Sequence, residues 1–167
     1  MIKIRKNVFE TNSSSTHSIC ISKGSRIADG SKVTFVAGEF GWKDAVVDPA
    51  DYLYTAIINS GNREENLERL TDILYKHNIT CRFIENGSSY IDHREELHPF
   101  LEDVLSDEDR LLRFLSKDSV VYTGNDNSNE CDDMCYSAKG TIYTDDWETV
   151  PNPNHDENKY EYYFKGN

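Results

Sequence analysis

Glu10-Thr11-Asn12-Ser13-Ser14-Ser15-Thr16-His17-Ser18 is a run of short polar side chains with one histidine, set between two apolar-alternating flanks. Upstream, Ile2, Ile4, Val8 and Phe9 interleave with Lys3, Arg5 and Lys6. Downstream, Ile19, Cys20 and Ile21 make a short apolar stretch. Both flanks carry strand signals, which predicts the run between them as a strand connection or a bulged strand, so the chain opens in sheet. Hydroxyls and an amide packed this densely have two uses. They can bond the local backbone, the reason such residues gather in turns, or they can hold an anion or a sugar.

Working outward, Val33, Phe35 and Phe40 suggest a further strand ending at Gly38 or Gly41. Asp48-Pro49 then opens a helix, with Asp as N-cap and Pro in the first turn, carried by Tyr52, Leu53, Ala56 and Ile57 and stopping near Ser60-Gly61. A second helix is predicted over Arg63 to Lys76, with Leu67, Leu70, Ile73 and Leu74 on one face. Thr80 to Ile84 alternates as a strand. The Asp92 to Leu105 segment has a helical pattern, but Pro99 places the start of the helix proper near His98. Asp107-Glu108-Asp109 puts acids at the positive end of a fourth helix bearing Leu111, Leu112, Phe114 and Leu115. Ser119 to Thr123 reads as a strand, Gly124 to Asn129 as a sharp loop, Gly140 to Tyr143 as a strand, Pro151 to Asn154 as non-strand, and Tyr160, Tyr162 and Phe164 as the last strand. Strands first, helices in the middle and strands last predict one α+β domain over residues 1–167: a mostly antiparallel sheet with about four helices packed on one side, and an acidic region, 126–158, that is less regular.

The formal net charge is −12, unevenly spread. Residues 1–47 hold seven Lys or Arg against four acids, and the remainder eleven against twenty-six. Such a balance repels duplex DNA and favours a basic protein partner. No apolar stretch approaches the ~20 residues of a membrane helix, and Arg5, Lys6 and Glu10 interrupt any signal-peptide pattern. A cytoplasmic protein with no membrane partner is therefore expected. Its four cysteines, Cys20, Cys81, Cys131 and Cys135, are expected to be thiols.

Three groups of residues could carry chemistry. In the first, Asn12, Ser13, Ser14, Ser15, Thr16 and His17 could bind a nucleotide-like or phosphorylated ligand, with His17 as a switchable donor. A serine nucleophile with His17 as base and Glu10 or Asp126 orienting it is the enzymatic alternative, although no G-x-S-x-G elbow is present. The second group is Thr123, Gly124, Asn125 and Asp126, a strand end followed by a loop, where rigid backbone often presents functional groups. Asn125-Asp126-Asn127 matches part of a calcium loop, but the terminal Glu is missing. The third is Cys131 and Cys135, three residues apart, which with His93 and His98 or His155 could hold a structural zinc. Two unlinked thiols in an acidic loop is the preferred reading of that pair.

The stretch Val8 to Ser18 resembles the opening of a family of small proteins encoded by bacteriophages and Gram-positive bacteria, and Tyr122 to Asp126 is similar to a later block of that family. The resemblance covers two short blocks and brings no activity or catalytic residue with it. It implies a cytoplasmic accessory protein of phage or mobile-element origin, and the acid excess separately suggests a binding module that counters a host defence or regulatory system by occupying a basic protein surface or holding a nucleotide-like ligand.

Overall fold

Strand β1, Ser15–Ser22, runs through the middle of the sheet with all eight residues buried. The computed structural model describes residues 15–41, 45–125, 137–143, 146 and 148–165. The expected first strand, Asn12, Ser13, Ser14, Asp126, Cys131 and Cys135 lie outside the described residues.

In chain order β1 is followed by β2 (Lys32–Val36), β3 (Glu39–Phe40), β4 (Ala45–Val47), α1 (Pro49–Ile58), α2 (Arg63–Lys76), β5 (Thr80–Ile84) and β6 (Tyr90–Ile91). Then come α3 (His98–Ser106), α4 (Glu108–Phe114), β7 (Val120–Asn125), β8 (Thr141–Tyr143), β9 (Thr149–Pro151) and β10 (Tyr160–Lys165). The main sheet has the order β10-β1-β7-β4, every pair antiparallel. The fold is therefore α+β, as the order of elements predicts. Two parallel pairs, β2 with β5 and β3 with β6, were not legible in the sequence. Parallel pairing needs a long crossover, and α1 with α2 supplies the one between β2 and β5.

Three expectations are corrected. Ser15 to Ser18 is not a strand connection but the first half of β1. Gly124 and Asn125 are not in a loop, because β7 continues through them to pair with Thr16 and Ser15. Pro151 closes β9 opposite Thr141; at the end of a short strand its missing N–H costs little.

The helices form where local chemistry supports them. Asp48 caps α1, its carboxylate accepting from the backbone N–H of Ala50 at 2.9 Å and Asp51 at 3.4 Å. Asp107 caps α4 through the N–H of Arg110 at 3.0 Å. Asn78, with φ +52, ends α2 in the left-handed region, where Asn is tolerated, and Ile79 N–H returns to Leu74 O at 2.9 Å.

The core lies between one face of the sheet and the helices. Ile19, Ile21 and Val121 face Tyr52, Leu53 and Ile57 of α1, Leu70 and Leu74 of α2, Phe100 of α3 and Phe114 of α4, all in one apolar cluster. At the rim, Arg69 on α2 holds Glu102 on α3 at 3.1 Å, and Arg110 and Arg113 on α4 hold Glu161 on β10 at 2.8 and 3.3 Å. Among the described residues no helix is long and apolar enough to cross a membrane.

Replacing Asp48 with Ala removes two bonds to otherwise unpaired N–H groups of α1, a helix that supplies Tyr52 to the centre of the molecule. The expected cost is about 1 kcal/mol, read as a lower midpoint in urea unfolding with an unchanged slope. An unchanged midpoint would show that the cap contributes nothing.

Candidate functional site

Alternation along β1 sorts its polar residues between two faces. Ser15 and His17 share the helix-side face with Ile19 and Ile21, while Thr16, Ser18, Cys20 and Ser22 share the other. Antiparallel pairing sets Thr123 opposite His17, Gly124 opposite Thr16 and Asn125 opposite Ser15. The two stretches singled out in the sequence thus lie side by side, and Thr123 is itself buried.

On the helix side the sheet meets a set of residues that the sequence did not bring together. His17 is fully buried, and its Nδ1 lies 2.8 Å from the Tyr52 hydroxyl. The phenol is also fully buried, and burial pushes its pKa well up, so it stays protonated. Burial likewise pushes the His17 pKa down, to about 4; the nearby His93 adds to this and Asp92 opposes it. At neutral pH the ring is uncharged, and its Nε2 has no hydrogen-bond partner among the described residues. Thr16 Oγ1, on the opposite face, has none either.

Beside His17 stands Asp92. Ser15 Oγ donates to Asp92 Oδ2, and the Tyr90 hydroxyl donates to Oδ1 at 3.2 Å. Burial pushes the Asp92 carboxyl up, but the Ser15 hydroxyl, the charge of His93, the His93 backbone N–H and Tyr90 together outweigh it and hold the group below the usual carboxylate value. Asp92 is therefore an ionised group at 6 % exposure. Among the described residues its one ion-pair contact is His93 Nε2, at 4.0 Å. His93 packs edge-on against His17 with ring centroids 5.7 Å apart, donates from Nε2 to Ser15 O at 3.0 Å and sets Nδ1 3.3 Å from Glu96. Its φ of +56 is unusual for a residue with a side chain.

Gly41 closes the cluster. At its φ of +118 only glycine is comfortable, and a Cβ there would fall 2.7 Å from Asp92 Cβ, 3.1 Å from His17 Nε2 and 3.4 Å from Ser15 Oγ. Outside Asp92 the surface opens into a groove of about 430 Å³ lined by Tyr90, Ile91, Asp92, His93, Arg94, Glu95 and Glu96.

Of the residues expected to carry function, Ser15, Thr16, His17, Thr123, Gly124 and Asn125 are thus brought to one place. The acids of the serine-histidine-carboxylate expectation, Glu10 and Asp126, lie outside the described residues. His17 Nδ1 faces the Tyr52 phenol, and the Ser15 hydroxyl is given to Asp92, not to the imidazole. Cys20 and Cys81 are free thiols. His155, one expected zinc partner, instead stacks on Tyr162 and bonds Ser137 O. Among the described residues no group of three or more His, Cys, Asp or Glu side chains is placed to hold a metal. Asp92, Tyr52, Tyr90 and Gly41 were missed as site residues. The available signals were Gly41 following the apolar Phe40 and the Asp92-His93 pair at a strand end. No family model matches the chain, and no curated protein or solved structure matches it.

Two outcomes follow from this geometry. As pH falls below 6.5 the unfolded chain protonates His17 while the folded chain resists until about 4. Stability that is complete above 6.5 is therefore lost across that window, by on the order of 3 kcal/mol. Urea unfolding from about pH 7 to about pH 4.5 measures this, and His17→Gln should flatten the slope between about pH 6.5 and 5, where carboxylates contribute least. A slope that His17→Gln leaves unchanged would refute the assignment. Gly41→Ala should cost clearly more than Gly30→Ala, which also meets a positive φ, +79, but has open space around it. The Gly30 change should cost about 1–2 kcal/mol from the positive φ alone, so any excess measures the crowding against Asp92 and His17. Equal costs would mean that the cluster yields freely.

Proposed function

We propose that the protein is a binding module for a basic protein segment, which it takes through the groove lined by Tyr90 to Glu96. The observation that carries this reading is Asp92, an ionised and nearly buried carboxylate at the base of a groove rimmed by Glu95 and Glu96. A lysine or arginine side chain entering there would meet a negative charge already desolvated and held in place by Ser15 and Tyr90. Attraction is stronger in such a setting than at an open surface.

The rest of the surface supports the same partner. The chain carries −12 overall, and many of its own cations are engaged internally: Arg26, Arg63, Arg69, Lys76, Arg110 and Arg113 each face a carboxylate. A nucleotide or phosphorylated ligand fits the groove less well, since three carboxylates against Arg94 repel phosphate. Hydrolysis by Ser15 fits less well too, because its hydroxyl is committed to Asp92. Taken with the resemblance of Val8 to Ser18 to phage-encoded proteins, the reading is of a cytoplasmic accessory protein that occupies a basic surface on a host protein.

Hexa-arginine labelled with a fluorophore tests the site. Binding to the parent should weaken as salt rises from low to physiological. Asp92→Asn and the double rim variant Glu95→Gln with Glu96→Gln should each weaken it by about 10-fold or more, equivalent to about 1.4 kcal/mol. The rim variant touches only exposed or half-exposed side chains and should keep the parent melting temperature. Absence of binding by the parent, or equal binding by the folded rim variant, would overturn the reading.

A further inference from the structure

The opposite face of the main sheet carries a second pocket. Antiparallel register places Ser18 beside Tyr122 and Phe164, Cys20 beside Val120 and Tyr162, and Ser22 beside Tyr160, all turned away from the helices. Ser137, Ala138 and His155 lie over this face: Ala138 N–H donates to Ser18 Oγ at 2.8 Å, and the His155 ring stacks on Tyr162 at 4.3 Å. Between sheet and cover lies a cavity of about 110 Å³, lined by Tyr122, Tyr160 and Tyr162 with Cys20, Val120, Ser137 and Asn154. Tyr160 and Tyr162 meet at 58° with centroids 5.7 Å apart, two walls of a corner.

We propose that this cavity is a cage for one methylated ammonium group, as borne by choline or by a trimethylated lysine. Several observations lead there. Three phenol rings converge on a space far smaller than the roughly 300–1,000 Å³ of sites for drug-sized ligands, so the occupant is a single headgroup. Aromatic faces attract cations, and rings on this face of the sheet already do so: Lys139 Nζ sits 4.5 Å from the Phe164 centroid and Lys159 Nζ 5.0 Å from that of Tyr160. Lys159 belongs to the wider neighbouring groove and does not line the cage.

Methylation suits the part of the lining that Cys20, Val120 and Ser137 supply, although Asn154 and the phenol oxygens could accept from a bare ammonium. A bare ammonium brings three donors that need acceptors, whereas Cys20 and Val120 offer none of consequence and the Ser137 hydroxyl already meets Ser18 and Cys20 at 3.1 and 3.3 Å. Methyl groups replace those donors with apolar surface. The long-range field favours the charge, since the chain is −12; burial pushes the Tyr162 phenol pKa up, against the Asp156 backbone N–H, which donates to its oxygen at 2.8 Å. This site is independent of the groove at Asp92, lying on the other face of the sheet and using rings in place of carboxylates.

The test titrates the intact protein with choline, with its uncharged isostere 3,3-dimethyl-1-butanol and with a short peptide carrying trimethyllysine, following the tyrosine ring resonances by NMR. Choline or the peptide should perturb Tyr160 and Tyr162 and saturate. The isostere should bind at least 10-fold more weakly, because it has the shape without the charge. Choline and the peptide, run side by side, separate a free ligand from a protein-borne one, and saturation by either supports the cage. Tyr160→Leu, on a half-buried ring, keeps apolar bulk and removes the π face; it should weaken binding about 10-fold with little change in melting temperature. Tyr162→Leu repeats the measurement at the second wall. Equal binding of choline and its isostere, no saturable shift with choline or the peptide, or undiminished binding by a folded Tyr160→Leu would each overturn the proposal.

Discussion

The structure depends on a polar strand held in the centre of the molecule. β1 is hydrogen-bonded on both edges and buried along its whole length, yet Ser15, Thr16, His17, Ser18 and Ser22 are all polar. Buried polar groups without partners cost about 1–3 kcal/mol each, so a strand of this composition is tolerable only where its surroundings answer each side chain. They largely do. Asp92 answers Ser15, Tyr52 answers His17, Ser137 answers Ser18 and Cys20, and Ser119 bonds the Ser22 backbone N–H at 2.9 Å. Among the described residues two side-chain atoms of this strand lack a partner: His17 Nε2, beside Asp92, His93 and Gly41, and Thr16 Oγ1, on the opposite face.

That arrangement divides the strand by purpose. Its second half is apolar on the helix side, where Ile19 and Ile21 anchor the core. Its first half carries hydrogen-bonding side chains beside the charged Asp92, where a uniform core would have put aliphatic side chains. Ordinary stability would favour the aliphatic choice, since a buried carboxylate loses solvation that its partners only partly restore. A left-handed His93, a glycine pressed against Asp92 and His17 and a carboxylate kept ionised at 6 % exposure are costs gathered in one place. Such local conflicts with stability concentrate where a protein binds or reacts.

The two proposed sites, one on each face of the sheet, would both take cations, by different physics. On the helix side the proposed attraction would be between full charges, with Asp92, Glu95 and Glu96 lining the groove, and would weaken with salt. On the outer side it would be between charge and aromatic quadrupole, short in range and less sensitive to salt. The acid excess underlies both. Many of the basic side chains are drawn into pairs with neighbouring acids, among them Arg69 with Glu102 and Arg113 with Glu161, and the remaining field is negative.

Local chemistry was enough to place the helices. Asp48-Pro49, the Leu67 to Leu74 stripe, Pro99 and Asp107-Glu108-Asp109 each act within a turn or two of the chain, and the observed α1 to α4 start at or next to those signals. The hydroxyl run was legible as unusual, and its place beside a strand-end block at Thr123 to Asn125 was legible as two separate features. Their union was not. Whether Ser15 to Ser18 turns or extends depends on β7 and β10, more than a hundred residues away, which offer backbone partners on both edges. No local propensity of Ser, Thr or His announces a buried central strand. In the same way Asp92, read from sequence as the start of a helical segment, becomes part of the site only because β6 pairs with β3 and carries it to Ser15. The sequence by itself determined the α+β composition, the helices and the charge. Tertiary structure decided which polar residues lie inside, because burial is set by partners distant along the chain.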